Sequence, residues 1–501
     1  MLDRLKKATN CILILLAGAG LLLRLIAIDH GFPDVNEEAT PVRQAWEMWA
    51  WESGGLDMNP RFFNYPALSF YINWIAQAVY RLVTEPTGLR SWGPSENLPL
   101  DFVLIGRILS ILFTAIISVL TYKIGRKLLP AVWSTWAALL VFWMPMLFHY
   151  SLKSVVDLPL GVLSTLVLFA LVDRPPSTFT GARHLTIGVL VGLAASCKYT
   201  GAFLAVPYIL MHLSSHEWNL RPAARSLYPW YAGATSICIF FLLNPFIIFD
   251  SETFYWDYSF EQHHMTVGHF GRQHSPISEY ARTIWLNLGP LFLISTVLGT
   301  YYSAQSALRN IWIPFCGFAI SFVCFLLLWS TSFGHYLLPV LPILALAAIQ
   351  GIRVGVLVCR RRGLRYGNLI LPLLAVSPLV ISSYGEYLNY RQPAARTLAR
   401  KGIETNAPPG TLFASEPGGP EISPPWYEVI LPMHSTNPEQ SSPAYNPKWY
   451  EPIDMILVTE GVEGRYKSEA QRFPDQNHFY DHIDRTWNQV TRFGRQGDGI
   501  R

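Results

Sequence analysis

Three acids within five positions carry the first chemistry in this sequence. Asp34, Glu37 and Glu38, in "DHGFPDVNEEATPVRQAW", follow directly on the apolar run "CILILLAGAGLLLRLIAI". Acidic side chains contribute little to membrane topology, so holding this loop outside a bilayer does not require them. A fourth acid, Asp157 in "HYSLKSVVDLPLGVL", stands in a turn too short to need a carboxylate for solubility. Two acidic sites brought together at a water–lipid boundary make an acid/base or cation site. The plain alternatives are a solvated loop for the first three and a helix cap for Asp157.

Cations are spaced to answer an anion. Lys198, in "CKYTG", interrupts apolar sequence, where an unpaired ammonium costs about 2.5–3.5 kcal/mol unless it snorkels to the interface. Arg272 lies with His263, His264 and His269 in "EQHHMTVGHFGRQH", and His335-Tyr336 in "FGHYLLP". Arginine, lysine and histidine of this kind suit a phosphate. The histidine tract also suits a divalent metal. Adjacent His263 and His264 point differently on most backbones, which favours phosphate binding or a substrate-gating loop over a metal, with an ordinary exposed loop as the plain alternative.

Positioning these groups requires a membrane. About half of the 501 residues are hydrophobic (51%), only 14% are charged and mean hydropathy is +0.25. This composition excludes an ordinary soluble enzyme and predicts an all-α polytopic membrane protein. The net charge of +4 and the lack of dense Lys/Arg with interleaved aromatics argue against nucleic acid. All six cysteines sit singly in or beside apolar runs, which predicts neither disulfides nor a cysteine metal site. There is no N-x-S/T acceptor, in keeping with a prokaryotic source.

Segments long enough to span lie near 10–28, 101–122, 131–150, 158–172, 185–198, 199–213, 228–248, 284–302, 311–329, 336–354 and 368–384, about eleven helices. The first run continues through Ile28 without a break, which predicts a retained helix rather than a cleaved signal peptide. Lys/Arg-rich short loops such as "YKIGRKLL", "NLRPAARS" and "RVGVLVCRRRGLR" stay cytoplasmic, as does the amino terminus. This works only if residues 65–84 do not span. Asn73, Gln77 and Arg81 there recur every four residues, giving one polar side and an interfacial helix. The first loop (29–100), the turn near Asp157, the loop 250–282 and everything after Ser383 then share the non-cytoplasmic face.

Residues 1–384 thus form a membrane domain and residues 385–501 a small extracytoplasmic α/β domain. In the tail, "PAARTLARKGIETNAPPG" reads as a helix with a Pro/Gly stop, "GTLFASE" and "DMILVTEG" as buried strands and "NHFYDHIDRTW" as a helix. Residues 417–450 are Pro-rich without clear periodicity and read as loop.

"NEEATPVRQAWEM", "LDMNPRFFNYPALSFYI", "GRILSILFTAIISVLTYKIGRKLLP", "HYSLKSVVDLPLGVLSTLVLFAL", "GLAASCKYTGAFLAVPYIL" and "GHYLLPVLPILALAA" occur in the order found in GT-C membrane glycosyltransferases. Over roughly residues 10–355 the chain resembles glycosyltransferase family 39 and its bacterial relatives, among them protein O-mannosyltransferases and the lipid A aminoarabinose transferase. The resemblance implies transfer of a sugar from a polyprenyl phosphate to a hydroxyl of a protein, lipid or glycan at the outer face of a plasma membrane; single displacement would invert the anomeric centre, whereas a retaining route would need a covalently placed nucleophile. It matches the family's acidic pair to Glu37 and Glu38, and favours Glu38 as the base. Asp157 would orient the acceptor or stabilise the transition state. Lys198, Arg272, His335 and Tyr336 would meet the donor phosphate, and Asp34, Tyr65, His263, His264 and His269 would line the substrate loops.

Two positions depart from the family pattern. Tyr65-Pro66 stands where relatives often have Lys-Pro, so one phosphate-contacting lysine is missing, and Glu37-Glu38 stands for Asp-Glu. The rival class is a transporter or lipid flippase. Its ligands would sit near the midplane on broken helices in two related halves. The polar residues here cluster at one face and no internal repeat is evident.

Overall fold

The computed structural model describes residues 2–32, 40–50, 55–86, 98–173, 180–268, 275–306, 308–361, 367–431, 442–495 and 499–501. Each of the eleven apolar segments is helical. They are α1 (Leu2–Ile26), α4 (Leu100–Leu128), the pair α5 (Ala131–Phe142) and α6 (Pro145–Ser151), α7 (Asp157–Val172), α8 (Gly181–Cys197), α9 (Ala205–Ser215), α11 (Tyr228–Leu243), α14 (Pro276–Ala304), α15 (Arg309–Leu326), α16 (Leu341–Arg361) and α17 (Gly367–Tyr390). Between them lie α2 (Thr40–Glu47) and α3 (Leu68–Thr84) in the first loop, the short α10 (Leu220–Arg225) and α12 (Phe246–Phe249), and α13 (Ser251–Val267). Among the described residues five helices are long and apolar enough to cross a bilayer, six if the bent α5–α6 pair counts as one, and four shorter apolar helices accompany them. The segment 199–213 differs in kind, because a 3₁₀ turn, Tyr199–Leu204, precedes α9.

Lipid tails are as apolar as leucine, so helices in a bilayer associate through close packing rather than a hydrophobic drive. The α14–α16 contact shows this. A β-carbon on Gly299 would lie 1.8 Å from the Ala347 carbonyl oxygen, and one on Gly351 1.9 Å from that of Ser295, so the two backbones touch. Trp136, Trp143, Phe148 and Trp312 fill the remaining interior. Where Pro145 breaks the path, α5 and α6 meet at 58°. The buried Arg24 of α1 sits on that break. It donates to the Phe142 carbonyl at 2.7 Å, to Gly20 O at 3.0 Å and to Ser151 Oγ at 2.8 Å, with its guanidinium carbon 4.3 and 4.5 Å from the Phe142 and Phe148 ring centres. A cation at a helix C-terminus meets the unpaired carbonyls there.

The polar side of α3 packs against protein. Gln77 donates to the Val42 carbonyl at 3.0 Å and accepts from the Trp49 indole at 3.0 Å, and Asn73 donates to Ser69 O. Ile75, Val79, Leu82 and Val83 are exposed instead. Buried amides need partners: α2 and the residue Trp49 just after it supply them for Gln77, and α3's own backbone supplies one for Asn73, leaving the apolar side of α3 for lipid.

The last apolar helix runs to Tyr390, six residues beyond the expected boundary at 384. Beyond it, α18 (Ala395–Asn406) ends before Pro408, as the sequence predicts, and strands β1 (Leu412–Ser415) and β3 (Met455–Leu457) form where expected. The Pro-rich stretch holds a strand that the sequence reading takes for loop: β2 (Tyr427–Ile430). It pairs with β1 in a parallel sheet of order β2-β1-β3. Its residues are largely exposed, so no alternation marks it. Helices α19 (Glu460–Ser468) and α20 (Pro474–Thr486) complete the unit.

At the carboxyl end of β1, Glu416 is 2% exposed. Its carboxylate accepts from the Thr459 amide at 2.7 Å, just before α19, and from the Tyr480 hydroxyl. Burial pushes its pKa up to about 7, against the lowering effect of these two bonds and of Arg501 and with a further push from Glu463. An acid with a raised folded-state pKa stabilises the fold below its unfolded value and loses that contribution as pH rises through the folded one. Stability on the order of 3 kcal/mol is therefore lost between about pH 4.5 and 7. Hydrogen exchange of the 455–486 amides, corrected for intrinsic rate, is expected to show less protection at pH 8 than at pH 5 in the wild type and a much smaller difference in Glu416→Gln.

Candidate active site

Asp157 is the first residue of α7 and only 3% exposed. It is not the cap that a bland reading would make it, because Val156 holds the N-cap position and no side chain caps this helix. The carboxylate instead binds across the fold. Its Oδ1 accepts from Lys198 Nζ at 2.8 Å, and its Oδ2 lies 3.7 Å from His335 Nε2.

Lys198 reaches this position because the chain breaks there. It ends α8 in extended geometry (φ −155°, ψ 135°), and the following 3₁₀ turn folds back so tightly that a β-carbon on Gly201 would lie 2.3 Å from the Ala194 carbonyl. The ammonium is largely covered, its side chain 12% exposed, and it turns to Asp157 rather than to the interface. It stands 4.1 Å from the Tyr336 ring centre and 5.7 Å from that of Tyr65. A desolvated cation over an aromatic face gains about 2 kcal/mol. His335 belongs to a second 3₁₀ segment, Gly334–Val340, which packs against α7. Its Nδ1 meets the Tyr150 hydroxyl at 2.8 Å, and Phe333 stacks on its ring.

Around this pair opens a cleft with about 890 Å³ of free space, its mouth included. Tyr65, Tyr199, Tyr258, Phe325, Trp329 and Tyr336 make its wall mainly aromatic, and Asp157, Lys198 and Glu261 supply its charge. Such a proportion of apolar wall to a few placed polar groups is typical of small-molecule sites. Burial and the charges of Asp157 and Glu261 hold the Tyr65 phenol well above its ordinary pKa, so it stays a hydrogen-bond donor.

The roof is α13, which has no buried residue and is fastened by hydrogen bonds. Asp250 accepts from Asn59 at 2.7 Å, Asp257 from the Phe63 amide at 2.7 Å, and Glu261 from Asn64 at 3.4 Å, while Tyr199 donates to Phe63 O at 2.9 Å. The Asn59 amide holds the Asp250 carboxyl below its usual range. The first-loop strand around 59–65 is thereby laid along the cleft. Glu261 and these fastenings are absent from the sequence reading, although Asp250, Asp257, Glu261 and His264 recur at intervals of seven, four and three, one face of a helix. His264 Nδ1 lies 3.6 Å from Glu261, whereas His263 is exposed and turned away. Among the described residues no three His, Cys, Asp or Glu side chains are grouped as a metal would need.

Asp34, Glu37, Glu38, His269 and Arg272 lie outside the described residues. The flanks of the acidic loop are nonetheless fixed. Arg107 of α4 donates to the carbonyls of Ile28 at 2.6 Å and His30 at 2.8 Å and lies over the Phe32 ring. On the far side, a β-carbon on Gly106 would sit 2.5 Å from Val42 and 2.9 Å from Ser154, so α2 packs where the turn to Asp157 begins.

Residues 103–248 match the family model described as dolichyl-phosphate-mannose-protein mannosyltransferase. No curated protein matches the chain by sequence. The structure of ArnT from Cupriavidus metallidurans bound to undecaprenyl phosphate superposes with a TM-score of 0.55 at 13% identity, covering 98% of each chain. The Archaeoglobus fulgidus oligosaccharyltransferase in its apo form gives a TM-score of 0.56 at 11% identity, over 92% of this chain and 72% of that one. AglB from the same organism, in complex with an inhibitory peptide and a dolichol-phosphate, gives 0.52 at 12%, over 95% and 72%. The chain shares the overall fold of these structures. In it the site is built at helix ends, with the chain breaks at Lys198 and His335 on one side and the first loop on the other.

Removing one partner of a buried ion pair strands the other, at about 3–5 kcal/mol, whereas removing both is far milder. Asp157→Asn and Lys198→Met should each lower the melting temperature of the detergent-solubilised protein. The double variant should lose clearly less than the two losses added, as read by fluorescence-detected thermal unfolding.

Proposed function

We propose that this integral membrane protein transfers a sugar from a polyprenyl-phosphate donor to an acceptor hydroxyl in this cleft, at the extracytoplasmic face of a prokaryotic plasma membrane and with inversion. The buried Lys198–Asp157 pair in the wall of an aromatic cleft is the observation that carries the reading. An ammonium has three donors; one meets Asp157, and the others are available to a phosphate oxygen. Tyr65, kept protonated, is a further donor where related sequences often place lysine. Arg272, His335 and Tyr336 complete the donor end, with Asp34 and His269 on the substrate loops and His263 and His264 on α13, a helix where the sequence predicts a loop.

The acceptor hydroxyl attacks the anomeric carbon as its bond to the phosphate oxygen breaks, and the lipid phosphate leaves carrying the bonding electrons. A carboxylate is a weak base for a hydroxyl, so the proton moves late, once the sugar has become cationic. Glu38, or its neighbour Glu37, takes that proton. Asp157, between Lys198 and His335, stabilises the oxocarbenium-like charge. The likeness to proteins solved with undecaprenyl phosphate, and with a dolichol-phosphate and a peptide, supports a lipid-phosphate donor here. The matching family model favours a mannosyl donor and a protein acceptor; a lipid or glycan acceptor offers the same hydroxyl chemistry. Residues 385–501 serve as an external domain facing the acceptor.

Purified protein given labelled polyprenyl-phosphate sugars and a membrane extract should move label to acceptor. Glu38→Gln should lower the rate by about 10²- to 10⁴-fold, the range of a positioned general base, with large losses also in Asp157→Asn and Lys198→Met. Equal transfer by all variants would remove the carboxylates from the reaction, and wild-type protein inert with every donor would return the transporter reading.

A further inference from the structure

We propose that Tyr150 is a positioning residue that sets the tautomer of His335, so that the imidazole offers an N–H to Asp157. The proposal deepens the transfer reading and rests on it only for its effect on rate. Tyr150 lies near the end of α6, 185 positions from His335 in sequence, and its hydroxyl is 2.8 Å from His335 Nδ1. The opposite nitrogen, Nε2, is 3.7 Å from Asp157 Oδ2.

A neutral imidazole has one N–H and one lone pair, and the partner of one nitrogen fixes the role of the other. A phenol can donate or accept, and what selects donation here is the carboxylate opposite Nε2, which attracts an N–H and repels a lone pair. With the Tyr150 O–H donating to Nδ1, the ring proton stands on Nε2 and faces the carboxylate. The other tautomer would turn a lone pair toward an anionic oxygen. The ring itself cannot swing away, because Phe333 stacks on it at 5.4 Å and Tyr336 meets it edge-on at 4.8 Å. Asp157 is thus held from both sides, by Lys198 on Oδ1 and by an oriented His335 toward Oδ2. A carboxylate gripped this way is an anionic fixture rather than the base, which leaves proton removal to the first-loop acids.

The arrangement has a signature that a packing role lacks. The titratable and charged groups facing His335 are Asp157 from α7 with Lys198 beyond it, Tyr150 from α6, Tyr336 in its own turn, and Tyr280 of α14 beside Phe333. Once the imidazole takes a second proton, both nitrogens are donors and the tautomer no longer needs choosing. The tautomer that the Tyr150 hydroxyl sets is therefore at stake only while the imidazole is neutral.

The full-length protein in nanodiscs, with ¹⁵N-labelled histidine rings and His335 assigned by its loss in His335→Gln, reports the tautomer directly. The wild type should show a protonated Nε2 and a bare Nδ1, and Tyr150→Phe a mixture. In the transfer assay Tyr150→Phe should be about five- to tenfold slower at pH 8, the fold-change of one neutral hydrogen bond. It should approach wild type at pH 5.5, and should add nothing to His335→Gln. A wild-type Nδ1–H tautomer, or a Tyr150→Phe loss equal at both pH values, would overturn the proposal; the wild-type spectrum decides even if the variant fails to fold. A correct tautomer in a protein that transfers no sugar would count against the transfer reading alone.

Discussion

The site depends on one ion pair that a membrane protein has reason to avoid. Lys198 and Asp157 come from different helices, lie out of water and meet at 2.8 Å. Desolvating two ions costs several kcal/mol each, and their attraction offsets this only with good geometry and further hydrogen bonds. The 2.8 Å contact supplies the geometry, and neighbouring rings supply further favourable contacts. Lys198 has two tyrosine faces beside its ammonium, and Asp157 has His335 at its second oxygen. Each group arrives through a break in regular helix: the first residue of α7, the extended link after α8, and the 3₁₀ turn before α16. The pair is the point at which three chain breaks are tied together.

The rest of the cleft is built differently. The helices beneath it pack through backbone contacts such as Gly299 with Ala347, which leave little freedom. Its roof, α13, buries no residue and hangs from the first-loop strand by hydrogen bonds of Asp250, Asp257 and Glu261. Each such bond is worth roughly 1 kcal/mol net. A rigid floor under a lightly fastened roof suits a site that must admit a lipid-borne donor from one side and a polar acceptor from another.

The sequence displays the features that depend on composition and period. Apolar runs, basic loops and the Pro/Gly stop after α18 are all legible, because each reports a local preference. So are Asp157, Lys198 and His335, since charge in apolar sequence stands out. What it hides is direction. The stripe of Asn73 and Gln77 reads as one side of an interfacial helix, and nothing local says that α2 takes the Gln77 amide while Asn73 turns back to Ser69 O of its own helix. Strand β2 has no alternation to find, because most of its residues are exposed at the edge of the sheet. Glu261 sits in a tract whose histidines draw attention, and only the helical interval from Asp257 marks it. Tyr150 gives no signal, since nothing local says that a tyrosine in α6 will meet a histidine far along the chain.

The central claim is that the cleft at Lys198 takes the phosphate of a polyprenyl phosphate. A structure of the protein with polyprenyl phosphate bound, determined in nanodiscs, tests it most directly. The account predicts phosphate oxygens within hydrogen-bonding distance of Lys198 Nζ, with the lipid leaving between aromatic walls. A phosphate bound away from this cleft, or at the opposite membrane face, would contradict it.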